Sequence, residues 1–305
     1  MLRMTFTGLV AYPVTPFQQG GRLDLESFER YIGRLARSGV DALVVLGSSG
    51  SFAYLSGEER SEVVRVAVDA ARGSGVPVGA GISAMTTREV LEMAYAAENS
   101  GADGLVLNPL SYIPLVSQEI ADQVETVSAS VSLPLCVYNN PTTTGFAYPA
   151  ELAAELSWLE NVNAFKDTAG SPEEFAARRE RFAELAEPGT AHGASGERLV
   201  HAAAPDGAAW HSGIAAVLPR QYAAFRAAVA EGDERAMRTW QAALTPLLEI
   251  LRQERPLSSL YALAEVCGVS TAPPRRPLLP IPSASRQRLA QAVEELLDEA
   301  PDERS

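Results

Sequence analysis

Short apolar runs alternate with longer amphipathic stretches along most of the chain. The runs read as strands at Leu9–Val14, Ala42–Leu46, Pro77–Ala80, Gly104–Leu107, Leu135–Tyr138, Val162–Phe165, Gly189–His192 and Ala208–Ser212. Between them, helical spacing of apolar residues covers Asp24–Ser38, Ser56–Gly73, Thr87–Ser100, Ser117–Ser130, Pro149–Leu156, Pro172–Leu185 and Pro219–Ala230. Gly and Pro punctuate the joints, as at Ser38-Gly39 and Ser100-Gly101. Beyond Ala230 the alternation stops. Asp233–Arg252, Pro256–Val266 and Ser283–Leu297 read as helices, broken by Gly232, Pro256 and the proline-rich stretch 273–282.

Strand–helix alternation of this kind predicts an α/β fold, a (β/α)8 TIM barrel over residues 1–230, followed by a C-terminal three-helix appendage over 231–305. A doubly wound sheet is the competing architecture, disfavoured because no Gly-x-Gly-x-x-Gly turn follows the first strand. The seventh unit is the weakest, with a short helix expected near Glu197–Ala203.

Composition narrows the class. The 305 residues are 47% hydrophobic and 21% charged, normal for a globular protein with a sizeable core. A net charge of −13 repels nucleic acid and anionic membrane surfaces, so neither is an expected partner. Cys136 lies in an apolar run and Cys267 ends a helix, so inert thiols are expected rather than a disulfide or zinc site. The start of the chain is too short and polar for a signal peptide, and no run approaches the ~18 apolar residues of a membrane span. A cytoplasmic location follows as the expectation.

In such a barrel, side chains at the C-terminal ends of the strands face the active-site mouth. Those ends are Thr15, Gly47-Ser48-Ser49-Gly50, Asn108-Pro109, Tyr138, Lys166, Gly193 and His211-Ser212-Gly213. The set holds an amine, a phenol, hydroxyls and glycines, with no metal-ligand spacing, so neither metal nor cofactor is expected. A lysine closing a buried strand is either paired with a carboxylate, here the adjacent Asp167, or partly neutral and able to attack a carbonyl. His211 is either a pocket acid/base or tail-binding group, or a hydrogen-bonded core histidine. His192 and His201 read as structural.

Several segments in order resemble the dihydrodipicolinate synthase/N-acetylneuraminate lyase family of class I aldolases. They are Ala11-Tyr12-Pro13-Val14-Thr15-Pro16-Phe17, the Gly47–Gly50 turn, Tyr138-Asn139-Asn140-Pro141 through Gly145, Phe165-Lys166-Asp167 and Arg276-Pro277-Leu278-Leu279-Pro280. The resemblance runs from Gly8 to about Pro282. It implies that Lys166 forms an imine with pyruvate or a related 2-oxo acid and that Tyr138 shuttles protons. Of Ser48 and Ser49, it implies that one relays a proton to the tyrosine while the other, with its N–H, holds the substrate carboxylate beside Gly50. It also implies Tyr112 crossing a subunit interface, and a homotetramer built as a dimer of dimers. Read from their place in the chain, Thr143 and Thr144 either line the pocket or solvate a loop, while Arg276 and Pro277 anchor the appendage rather than touch substrate.

Three departures qualify the resemblance. Ser51 stands where the family commonly has Glu. Thr143 stands where synthases condensing pyruvate with aspartate semialdehyde carry Arg, and threonine cannot grip a second carboxylate bidentately. Pro109–Pro114 departs from the usual Pro-Tyr-Tyr pattern. The expected function is therefore a Schiff-base lyase, aldolase or dehydratase, acting on pyruvate or a 2-keto-3-deoxy sugar acid. The alternatives are 4-hydroxy-tetrahydrodipicolinate synthase and a non-catalytic barrel that binds 2-oxo acids.

Overall fold

The computed structural model describes residues 3–197 and 209–299. His201, Ala208 and most of the helix expected near Glu197–Ala203 lie outside the described residues. Eight parallel strands close into a barrel in sequence order. They are β1 (Gly8–Ala11), β2 (Ala42–Val45), β3 (Val78–Gly81), β4 (Gly104–Leu107), β5 (Leu135–Asn139), β6 (Val162–Asp167), β7 (Ala191–Ser195) and β8 (Ala209–Ser212).

The helices are α1 (Leu25–Leu35), α2 (Gly57–Ala71), α3 (Thr87–Asn99), α4 (Ser117–Ser128), α5 (Pro141–Thr144), α6 (Ala150–Leu156), α7 (Pro172–Leu185) and α8 (Pro219–Glu231). Their starts are set by local chemistry. Ser56 and Thr86 each accept a bond from the amide three residues on, and the Glu there returns one, giving two complete capping boxes. The C-terminal helices are α9 (Glu234–Gln253), α10 (Pro256–Val266) and α11 (Ser283–Glu299). Leu244, Tyr261 and Leu289 on them belong to the same apolar cluster as the outward faces of the strands, so these helices pack on the barrel's own outer core.

The seventh strand begins two residues later than its sequence pattern suggests. Gly189, expected to open the seventh strand, adopts φ 93° in a turn closed by the Thr190 amide on the Glu187 carbonyl. The strand starts at Ala191 and runs to Ser195, through small residues that signal β-structure weakly.

Following the register round the barrel, each strand one residue ahead of the last, stacks the inward side chains in layers drawn from alternate strands. The lowest holds Ala42, Gly104, Ala164 and Ala209; above it lie Val10, Gly79, Cys136 and Gly193. The next holds Val44, Val106, Lys166 and His211, and the top holds Tyr12, Gly81, Tyr138 and Ser195. Met4 and Phe6 plug the bottom, where a Cβ on Gly104 would come within 2.9 Å of each. The interior is thus apolar up to the third layer, where the amine appears.

Candidate active site

The pleat separates the two charges of β6. Lys166 points into the barrel, and Asp167 points out towards the helices. Asp167 is fully buried there and accepts from Asn139 Nδ2 at 2.7 Å and Arg178 Nε at 2.7 Å, with His192 Nε2 at 3.2 Å. Burial alone would raise its pKa, but bonds from His192, Arg178 and Asn139 hold it below the ordinary carboxylate value. The pairing of Lys166 with Asp167, one of its two readings from sequence, is therefore excluded by strand geometry. His192, stacked 5.0 Å from Phe175 and bonded to Asp167, is structural as expected.

Lys166 is 5% exposed and has no carboxylate partner among the described residues. Its Nζ lies 3.8 Å from the Tyr12 ring centroid and 3.7 Å from that of Tyr138. Burial drives its pKa below the usual lysine value, opposed in part by Tyr138, Cys136 and Glu197. Of the 25 Lys and Arg residues in the chain, it is the only lysine. An arginine keeps its proton at any relevant pH, so the single side-chain primary amine able to become a neutral nucleophile stands at the mouth.

Tyr138 pairs directly with Lys166 across β5 and β6. Its hydroxyl accepts from Asn140 Nδ2 at 3.0 Å and from Ser195 Oγ at 3.3 Å. The bond expected from the serine turn is not among these, since Ser48 is exposed. Ser195 is a contact that the late start of β7 hid from sequence reading.

The turn after β2 is wound tightly. Leu46 and Ser51 both take left-handed φ, 58° and 57°, rare for non-glycine residues and costing of order 1–3 kcal/mol each. A Cβ on Gly81 would sit 2.1 Å from the Leu46 carbonyl oxygen, so only glycine fits opposite. Thr15 Oγ1 donates to the Gly50 carbonyl at 2.8 Å, and Gly50 N donates to Gly47 O at 2.9 Å. The amides of Ser48 and Ser49 have no protein acceptor among the described residues, leaving adjacent donors for an anion. Ser49 Oγ occupies the space that a Cβ on Gly213 would enter at 2.6 Å.

The Ser51 departure also has a physical role. Its hydroxyl shares a 3.0 Å bond with Tyr261 Oη, which donates to Thr15 O at 2.7 Å, tying the turn to α10. The C-terminal anchor is Arg275 rather than the expected Arg276, which is exposed. Arg275 Nη1 donates to Glu59 at 2.7 Å and Nε to Gly21 O at 2.6 Å.

Among the remaining candidates, Thr143 is exposed and its hydroxyl donates to Asn140 O at 3.3 Å within α5. Tyr112 is 88% exposed, beside Ile113 and Val116 at 66% and 60%. His211 is 1% exposed and shares a 2.9 Å bond with Tyr12 Oη.

Glu197 is a second residue that sequence reading missed. It follows β7, and Ser212 Oγ donates to its carboxyl. Burial of the carboxyl pushes its pKa up to about 7, against the Ser212 bond and the Lys166 charge. The signal was a lone acidic residue just past a strand end, obscured because that end was placed three residues early.

The chain matches the Dihydrodipicolinate synthetase family over residues 5–296. It is 32% identical over 304 residues to the 4-hydroxy-tetrahydrodipicolinate synthase of Natronomonas pharaonis, covering 97% of this chain and 99% of that one. It is 33% identical to the "Probable 5-dehydro-4-deoxyglucarate dehydratase" of Azotobacter vinelandii, covering 95% of each. Among solved structures, dihydrodipicolinate synthase from Agrobacterium tumefaciens superposes with a TM-score of 0.91 at 34% identity, over 96% of this chain and 98% of that one.

Proposed function

The chain belongs to the dihydrodipicolinate synthetase family of lyases, and from that membership we propose that Lys166 forms an imine with a 2-oxo acid. The carrying observation is the buried amine, without a counter-ion among the described residues and walled by Tyr12 and Tyr138 at the barrel mouth. Burial favours its neutral form, which attacks the 2-oxo carbon. The resulting carbinolamine loses water with a proton delivered through Tyr138. The protonated imine then takes up the electron pair released when a C3–H bond breaks, its proton returning to the Tyr138 oxygen, or when a C3–C4 bond breaks with an aldehyde leaving. The free amides of Ser48 and Ser49 hold the substrate carboxylate, in a turn that the Gly50 amide closes on Gly47 O.

The second half of the reaction is a dehydration or aldol cleavage of a 2-keto-3-deoxy sugar acid. Thr143 offers no charge to a second carboxylate, which weakens the reading as 4-hydroxy-tetrahydrodipicolinate synthase. Glu197, whose raised pKa of about 7 leaves a substantial protonated fraction near neutral pH, is suited to protonate a departing hydroxyl. His211 supports this site from beneath. The exposed apolar group around Tyr112 supports a homotetramer in which that tyrosine meets a partner subunit.

Pyruvate with borohydride tests the first half, because a reduced adduct at the only lysine is unambiguous by mass. No adduct with pyruvate or any other 2-oxo acid refutes the imine. Turnover assays then separate the substrates: 2-keto-3-deoxy sugar acids should be consumed faster than pyruvate plus aspartate semialdehyde. An adduct that never turns over identifies a binding barrel. Light scattering reports the oligomer.

A further inference from the structure

Tyr12 and His211 take part in no bond-making step above, yet the barrel is shaped to hold them. Tyr12 stands in the top layer and His211 in the layer of Lys166. Their rings lie 5.8 Å apart at 54°, joined by the 2.9 Å bond between Tyr12 Oη and His211 Nδ1. A Cβ on Gly47 would come within 2.6 Å of Tyr12 Cδ1, and one on Gly193 within 2.6 Å of His211 Nε2. Two glycines, one just past β2 and one in the middle of β7, therefore make room for two rings that touch. His211 Nε2 is buried without a hydrogen-bond partner among the described residues. A charged imidazole there would carry an orphan N–H and place a second cation near Lys166. Burial first, and Lys166 second, hold its pKa well below the usual histidine value, so the ring is neutral.

We infer that Tyr12 and His211 form a positioning pair for Lys166, in which neutral His211 fixes the Tyr12 ring as the wall opposite Tyr138 and so sets the direction and proton affinity of the amine. This deepens the reading of Lys166 as the imine-forming residue and rests on it. An aromatic face stabilises an ammonium that an aliphatic wall would not, so the pair moderates the desolvation of Lys166. The other groups felt at the amine are Tyr138 and Cys136 on β5 and Glu197 after β7. His211 also feels Arg226 on α8 and His192 on β7.

The test is the pH profile of Lys166 acetylation by acetic anhydride, read by mass spectrometry at the single lysine. This needs no imine, so absent pyruvate trapping would strike the proposed function and leave this measurement intact. Thermal melts confirm folding of each variant. Tyr12→Leu keeps an apolar wall but loses the π face, and its rising limb should move to lower pH by about 0.5–1 unit. Tyr12→Ala, which leaves a cavity, serves if Tyr12→Leu does not fold, and its profile too should differ from wild type. His211→Leu should shift the limb in the same direction as Tyr12→Leu, while His211→Asn, still able to bond the phenol, should return it towards wild type. Folded Tyr12 and His211 variants whose profiles superimpose on wild type overturn the inference. Equal shifts for His211→Leu and His211→Asn do so as well, since they would reduce His211 to a packing residue.

Discussion

Strand β6 sets two consecutive charges in two different surroundings. Outside the barrel, Asp167 is buried against the α7 layer and every oxygen is met: by Asn139, Arg178 and His192. Inside, Lys166 is buried about as deeply but meets ring faces, with no ion pair among the described residues. The outer site spends its polar partners on keeping one charge state. The inner one withholds them, so the amine can exist in either state, as a nucleophile must. Family resemblance explains which residue is the lysine; the pleat explains why its neighbour does not quench it.

The strongest way to break this contrast is Lys166→Met. Imine trapping should vanish and turnover fall by at least about a thousandfold. Stability should move the other way. A lysine whose folded pKa lies below its unfolded value binds fewer protons when folded, so stability rises with pH across that window, and below it the charge is a cost. Removing the amine lifts that cost, and the melting temperature at pH 7 should rise by roughly 1–3 °C. A clear fall would mean that the amine is paired after all.

Asp167→Ala attacks the other side of the strand. Stripping a buried carboxylate from Arg178 and His192 should cost about 3–5 kcal/mol in chemical denaturation, while the folded fraction still traps pyruvate. The wild-type contribution follows the depressed pKa: present above the unfolded carboxylate value and lost as pH falls through the folded one. Loss of trapping from well-folded protein would show that the two faces are coupled.

Glu197→Gln sharpens the inner side. Trapping should survive, but dehydration should slow by about 100-fold or more as the acid is lost. With the carboxyl raised to about 7, ionisation costs stability above its unfolded pKa, increasingly so through pH 7. The glutamine variant should therefore melt higher than wild type at pH 8 and closer to it at pH 5. The smallest effect belongs to Ser51→Ala, which breaks one buried bond to Tyr261 and should cost about 1 kcal/mol with trapping unchanged.

Much of this was legible in the sequence because it depends on period and on strand ends. β4 and α10 fall on their expected bounds, and Lys166 and Tyr138 meet as paired strand ends should. What was not legible depends on partners far along the chain. Tyr261 reaching Ser51, 210 residues away, leaves no mark in local pattern, nor does the Tyr12–His211 bond across 199. Glu197 was hidden by Gly189, whose turn displaced the seventh strand, and by the small residues of the strand itself. Arg276 stands one residue from the true anchor because adjacent arginines on an irregular segment give no periodicity to choose between them.

The central claim is that this chain keeps one buried amine easy to deprotonate. The direct measurement is the titration of the 13Cε resonance in protein labelled at lysine, where the chain should give a single signal, absent in Lys166→Met. A midpoint clearly below the ~10.4 of an ordinary lysine is the predicted result. A midpoint at or above that value would show a compensated charge and contradict the account.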